Sequence, residues 1–313
     1  MTRFLATLGI CLVATLPARA QEFITVLTGG TSGVYYPLGV ALNGVYGKAI
    51  PNAKVTVQAT KASVENLNLL QSGKGEIAFT LGDSLSDAWQ GREEAGFKTK
   101  LTKLRTIAGI YPNYIQIVAA KDSGIKTLAD LKGKRVSVGA PKSGTELNAR
   151  AIFGAAGITY NDFAKTEYLP FAESVDLMKN RQLDATLISA GLGVAAVRDL
   201  ATSQEITIVS VPADIIQKVG DPAYIAETVP ANTYNGQTEP VTTAAVRNFL
   251  VTHSGVSDAT AYAMTKATFE NLEALTSAHA AAKQIKLDAE AAKSPVPLHP
   301  GAEKFYKEKG LVK

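Results

Sequence analysis

The sequence predicts an α/β protein of largely parallel strands arranged in two lobes. Strand-like apolar runs alternate with helix-like periodic runs from Gln21 onward, the pattern of strands joined by helical crossovers. The alternation restarts near Lys126, after an interruption at Tyr111-Pro112-Asn113-Tyr114. The length, 313 residues, also exceeds what one core usually serves.

Residues 1–20 read as a secretory signal peptide. Arg3 supplies a positive start, Phe4 to Leu16 is apolar but short, and Ala18-Arg19-Ala20 has the small-x-small cleavage pattern. Cleavage near Ala20 implies a periplasmic product that begins at Gln21. The single cysteine, Cys11, lies inside this leader and follows no cleavage site. The exported chain then has no thiol, which excludes disulfides, thiolate catalysis and Cys-based metal sites. The net charge of +4 falls to +2 without Arg3 and Arg19. That near-neutral balance excludes a nucleic-acid or polybasic membrane surface.

Phe23 to Leu27 reads as the first strand. The turn Thr28 to Gly33 then opens a helix carrying Val34, Leu38, Leu42 and Val45. Val55 to Thr60 is a second strand, and Lys61-Ala62-Ser63 leads into a helix with Val64, Leu67 and Leu70 on one face. Ile77 to Thr80 is a third strand, followed by a helix through Leu85 and Trp89. Leu104–Ile110 and Ile115–Ala120 read as two strands separated by a Pro-Asn turn. In the second half, strands are expected at Arg135–Gly139, Thr166–Pro170, Ala185–Ser189, Ile206–Val211 and Val241–Val251. Helices are expected after Ser143, from Glu173, through Val197, through Ile215, over Ser257–Lys293 and over Ala302–Lys309. A weak internal echo joins the halves. Asn66, Leu67, Leu70, Glu76 and Ala78 have counterparts at the same spacing in Ser174, Val175, Met178, Asp184 and Thr186.

In open α/β sheets, ligands bind beyond the carboxyl ends of the strands. The residues at those switches are therefore the candidate site: Gly30, Thr31, Ser32 and Gly33; Ser63 with Asn66; Thr80; Ser143, Gly144 and Thr145; and Ser189. A helix start presents unpaired N–H groups and the positive end of a dipole, a fit for an anion. Hydroxyls add donors, among them Thr60 at the end of the second strand, and Tyr35 and Tyr36 add flat walls with a polar tip. Taken singly, such a turn is better explained by helix capping. The recurrence in both halves is what points to a cleft for a small carboxylate. Tyr111 reads either as a ligand contact or as a packed hinge residue. Glu173 reads either as a partner for a ligand ammonium or as an ordinary first-turn acid.

Catalytic patterns are weak. His253, His279 and His299 have no metal-ligand spacing. No Gly-x-Ser-x-Gly elbow occurs, and Gly73-Lys74 lacks the context of a phosphate loop. No metal or cofactor and no enzymatic activity are expected. A hydrolase using Ser32 or Thr31 stays open as an alternative.

The run Gly29 to Gly39 resembles the opening signature of the TAXI-type solute receptors of TRAP transporters. So do Ala62-Ser63-Val64-Glu65-Asn66, Leu128 to Gly139, Ser143-Gly144-Thr145-Glu146 and Pro297 to Lys304. The resemblance spans nearly all of the chain after the leader. It implies a two-lobed periplasmic binding protein, type II-like, with each lobe a mostly parallel sheet flanked by helices and two hinge strands between them. It divides the chain into residues 21–112 with 242–313, and residues 113–241. It further implies a monomeric receptor that takes a glutamate-like amino acid or a dicarboxylate and hands it to a TRAP-type membrane transporter. Delivery to a membrane kinase, as a sensor, is the alternative. The lack of an arginine at any predicted strand end is in keeping with the TAXI type.

Overall fold

The computed structural model describes residues 21–313. The expected leader, its cleavage site and Cys11 lie outside them. The first lobe starts with β1 (Glu22–Leu27), α1 (Tyr35–Ala49), β2 (Ala53–Gln58), α2 (Ser63–Gln71) and β3 (Ile77–Leu81). β1 lies between β2 and β3, all parallel. α1 buries Leu38, Leu42, Val45 and Tyr46, the stripe its helical spacing predicts. β3 is buried along its whole length, as a central parallel strand covered on both faces must be. α3 (Gly82–Gln90) leaves the end of β3.

The next element, β4 (Leu104–Ala120), corrects the expected pair of strands: it is one unbroken strand of 17 residues. Tyr111-Pro112-Asn113 does not turn. Pro112 stands opposite Arg247, next to a register shift in the partner strand, where a missing backbone donor is tolerated.

The second lobe repeats the first. β5 (Arg135–Ser137), α4 (Gly144–Ala155), β6 (Lys165–Glu167), α5 (Phe171–Lys179) and β7 (Ala185–Ala190) follow the same order. β5 lies between β6 and β7, again parallel. The echo in the sequence is this repeat. Glu76, just before β3, accepts the Thr25 N–H of β1 at 2.6 Å. Asp184, just before β7, accepts the Arg135 N–H of β5 at 2.8 Å. In each lobe the acid joins the incoming strand to the central one.

α6 (Ala195–Ser203), β8 (Ile206–Val209), α7 (Ala213–Lys218) and β9 (Tyr224–Val229) lead to the second long strand, β10 (Val241–His253). β9 is not expected from the sequence; among the described residues it is an edge strand paired only with β10. β4 and β10 are antiparallel neighbours that run from one lobe into the other. In the first lobe β10 also pairs with β3; in the second, β4 pairs with β7 and β8.

The segment expected as one helix over Ser257–Lys293 is broken. It forms α8 (Asp258–Glu270), α9 (Leu272–Ala278) and two short 3-10 turns at Ala280–Gln284 and Ala289–Ala292. His279 and Asp288 accept backbone N–H groups at the start of those turns and redirect the chain. α10 (Pro300–Glu308) ends the fold. One apolar core holds Leu187, Val136 and Phe153 under the second lobe. Another holds Leu27, Leu67, Phe97 and Phe249 under α2 and α3. The largest joins α1, α8 and α10 to α5 and α6 across the other face.

Candidate functional site

Because the two lobes are the same unit facing each other, the helices that follow equivalent strands point at one place. A cavity of about 130 Å³ lies there, some ten times the ~10–15 Å³ that one water needs. Its wall includes the first residues or N-caps of four helices: Val34 and Tyr35 at α1, Ala62 and Ser63 at α2, Ser143 and Gly144 at α4, and Pro170 and Phe171 at α5. Each helix end carries about half a positive charge and unpaired N–H groups. Lys61 is the one basic side chain on the described wall, and it is exposed at the rim with Gly30. The site therefore offers an anion backbone dipoles and hydroxyls instead of a buried guanidinium.

The crossing strands supply the floor. Asn113 of β4 lines the cavity and donates from Nδ2 to the Ser189 carbonyl at 3.0 Å. Its Oδ1 accepts from Asn248 Nδ2 of β10 at 2.7 Å. Asn248 Oδ1 in turn accepts from the Tyr35 hydroxyl. Tyr35 is held flat on Phe79, with ring centroids 5.0 Å apart, and burial pushes its phenol well above the usual range. This chain of bonds fixes α1, both crossing strands and β7 relative to one another. The Ser189 hydroxyl is buried on the cavity wall and has no partner among the described residues. Its hydrogen-bonding capacity is therefore unused inside the cavity.

Of the residues predicted from the sequence, Gly30, Gly33, Ser63, Ser143, Gly144, Thr145 and Ser189 are brought together on this wall. Thr31, Ser32, Tyr36, Asn66, Thr80, Tyr111 and Glu173 are not on it. Thr31 is exposed on the turn, and the Ser32 carbonyl accepts the Ala196 N–H from the other lobe at 3.3 Å. Tyr36 lies one position beyond Tyr35, a step that carries it around the helix and off the cavity side. Asn66 is buried and donates to the Thr28 and Phe79 carbonyls at 2.7 and 2.8 Å, tying α2 to β1 and β3. Thr80 faces opposite to Leu81, which does reach the cavity, because side chains alternate along a strand. Tyr111 is fully buried in β4, its hydroxyl unpartnered among the described residues. Glu173 is exposed on α5, as a first-turn acid would be.

Tyr35 and Thr60, also named at the switches, are on the wall, and nothing in the switch pattern singles out Ala62, Leu81, Asn113, Pro170 and Phe171. Asn113 is hidden in the sequence because Pro-Asn reads as a turn; the signal that could have found it is the near-continuous β-type composition on both sides of Pro112.

The lobes are closed over the cavity. A Cβ on Gly144 would stand 2.6 Å from both Leu81 Cδ1 and Ser63 Oγ of the first lobe. Glu65 N–H donates to the Lys142 carbonyl at 3.2 Å, and Arg150 donates to the Glu94 carbonyl at 2.7 Å. All three histidines have structural roles. Each accepts from the N–H two residues on through Nδ1: Gly255 for His253, Ala281 for His279 and Gly301 for His299. Among the described residues no His/Cys/Asp/Glu group could hold a metal ion, and no helix is long and apolar enough to cross a membrane.

Solved structures share this two-lobed α/β fold. The methylphosphonate complex of PhnD1 from Prochlorococcus marinus superposes with a TM-score of 0.57 at 11% identity, covering 94% of this chain and 100% of that one. The alkanesulfonate-binding protein SsuA from Xanthomonas axonopodis pv. citri, bound to MOPS, gives 0.53 at 15% identity over 95% and 96% of the two chains. A binding-protein component of an ABC phosphonate transporter from Pseudomonas aeruginosa gives 0.53 at 13% identity over 85% and 80%. At such identities the likeness concerns the fold. The sequence itself matches the NMT1-like family model over residues 26–310, and the chain belongs to that family.

Proposed function

We propose that this protein is an extracytoplasmic solute receptor that encloses a small carboxylate between its lobes and delivers it to a TRAP-type membrane transporter. The observation that carries this reading is the meeting of four helix N-termini, two from each lobe, at a closed cavity whose described wall has no buried basic side chain. Helix ends suit a small anion. A ligand touching both lobes stabilises the closed form and no other, and the outer surface so formed is what a membrane partner reads. The leader-like residues 1–20 support export. The ligands named for the structural neighbours, a methylphosphonate and a sulfonate buffer, are also small anions, which supports an anion site without choosing its head group.

A thermal-shift panel of L-glutamate, 2-oxoglutarate, succinate, methylphosphonate and methanesulfonate tests the ligand. A carboxylate at about a hundred times its Kd stabilises the fold by about 2.7 kcal/mol, a rise in Tm of about 5 °C or more. Replacing Ser189 by alanine is expected to shrink that rise while leaving the unliganded Tm within a few degrees, since its hydroxyl has no partner among the described residues. A shift by the phosphonate or sulfonate alone would reassign the head group. Reconstituted uptake that follows an ion gradient supports the TRAP partner; uptake that needs ATP replaces it.

A further inference from the structure

Away from the cavity, three buried polar side chains meet across the seam between the lobes. Asp83, at the start of α3 in the first lobe, is 3% exposed. Its Oδ2 accepts from Asn148 Nδ2 on α4 at 2.7 Å and from the Tyr224 hydroxyl on β9 at 2.7 Å. Both donors belong to the second lobe. Asp83 Oδ1 accepts from the Ser84 N–H at 2.6 Å.

The carboxylate is hydrogen-bonded, but its charged neighbours are acids: Asp87 on its own helix and Asp221 in the turn before β9. On α4, Glu146 and Arg150 pair with each other at 2.7 Å. On β10, Arg247 donates from Nε to the Ile110 carbonyl. On α2, Glu65 accepts the Lys61 N–H at 2.6 Å. Burial raises the Asp83 carboxyl to about 6, with the Tyr224 and Ser84 bonds opposing and the two aspartates adding to the rise.

A proton on Asp83 is readily accommodated. The Tyr224 hydroxyl can reverse its role and accept from the carboxyl. The Asn148 amide also has capacity to spare, since its Oδ1 is buried with no partner among the described residues.

We infer that Asp83, Asn148 and Tyr224 form an interlobe latch whose closing takes up a proton, so that the receptor closes more readily as the pH falls from neutral. The inference rests on the lobe closure proposed above. Opening parts Asp83 from both donors and returns it to water, where a carboxyl has its ordinary, lower value. The proton affinity is thus higher in the closed form. Closure is favoured as pH falls through the closed-form value, and the gain is complete below the open-form value. Linkage puts the rise in the closed-to-open ratio at about tenfold between pH ~7.5 and pH ~5.

The test measures lobe separation without any ligand. Spin labels are placed at Lys98→Cys in the first lobe and Asn161→Cys in the second, with Cys11 changed to serine. Pulsed distance measurements across that pH range should show two populations. Their ratio should shift about tenfold toward the shorter distance on acidification. Asp83→Asn, which carries no titrating proton, should hold one ratio throughout. Should that variant fail to fold, Tyr224→Phe serves. It removes a donor to the charged form, so it should lower the closed fraction at pH ~7.5 and steepen the response to acid. Two populations whose ratio ignores pH, or an Asp83→Asn protein that responds like the parent, would overturn the latch. One distance at every pH would remove lobe closure itself, and the latch with it.

Discussion

Two residues, one on the cavity wall and one in the turn beside it, are held in backbone conformations that side chains seldom adopt. Ala62, the N-cap of α2, has φ +68° and ψ −144°. Lys142, just before the N-cap of α4, has φ +64°. They stand at the starts of α2 and α4, one in each lobe, and the Lys142 carbonyl accepts the Glu65 N–H across the seam. Such strain persists only where surrounding contacts enforce it, and it gathers at binding sites. Ala62→Gly should relieve it. The gain of roughly 1–3 kcal/mol from strain exceeds the ~0.5–1 kcal/mol entropic cost of glycine. A net stabilisation of about 1 kcal/mol is expected, read as a rise in the denaturation midpoint; a fall would show that Ala62 is unstrained. At this scale the site was half legible. Ser143 and Ser189 stand out as hydroxyls at strand ends. Tyr35 could not be separated from Tyr36, because which of two neighbouring helix residues faces inward depends on the phase of the whole helix against its sheet.

At the scale of elements, the C-terminal helices close the first lobe. Phe269 of α8 and Phe305 of α10 stack with centroids 6.1 Å apart, and Tyr306 adds an edge contact at 5.9 Å. The Tyr306 hydroxyl donates to the Ile107 carbonyl of β4 at 3.0 Å. Close approach requires Gly301. A Cβ there would stand 2.7 Å from the Tyr262 backbone nitrogen and closer still to the Asp258 carbonyl oxygen. Backbone atoms cannot give way as a side-chain tip can. Gly301→Ala should cost about 3 kcal/mol or more, at the upper end of overpacking effects, measured by denaturant unfolding. A cost under ~0.5 kcal/mol would mean the helices can slide apart freely. His299 caps α10 and donates from Nε2 to the Val256 carbonyl at 3.0 Å. Burial holds it below its usual value, which suits a neutral ring that accepts at one nitrogen and donates at the other. Helix periodicity revealed α10 in the sequence. It did not reveal the breaks after α8, since alanine-rich sequence is compatible with one long helix and the redirecting bonds of His279 and Asp288 form only in the folded chain.

For the whole molecule, function depends on whether two equivalent units can meet. Gly144 is where the second lobe comes closest to Ser63 and Leu81 of the first. Gly144→Ala should leave each lobe folded and penalise the closed form by the ~1–3 kcal/mol of an overpacked contact. That corresponds to roughly 5- to 150-fold weaker capture of whichever acid the thermal panel identifies, measured by calorimetry. Unchanged affinity would show that binding does not need this approach. The sequence by itself determined the units: the alternation of strands and helices, the turns that open each helix, and the repeat marked by Glu76 and Asp184. All of these follow from spacing along the chain, which fixes local periodicity. Only the tertiary structure decided that β4 runs unbroken through Pro112, that Asn113 and Asn248 form the floor, and that half of the expected site residues turn away from the cleft. Those outcomes depend on how distant segments pack in register and phase, and no local pattern carries that information.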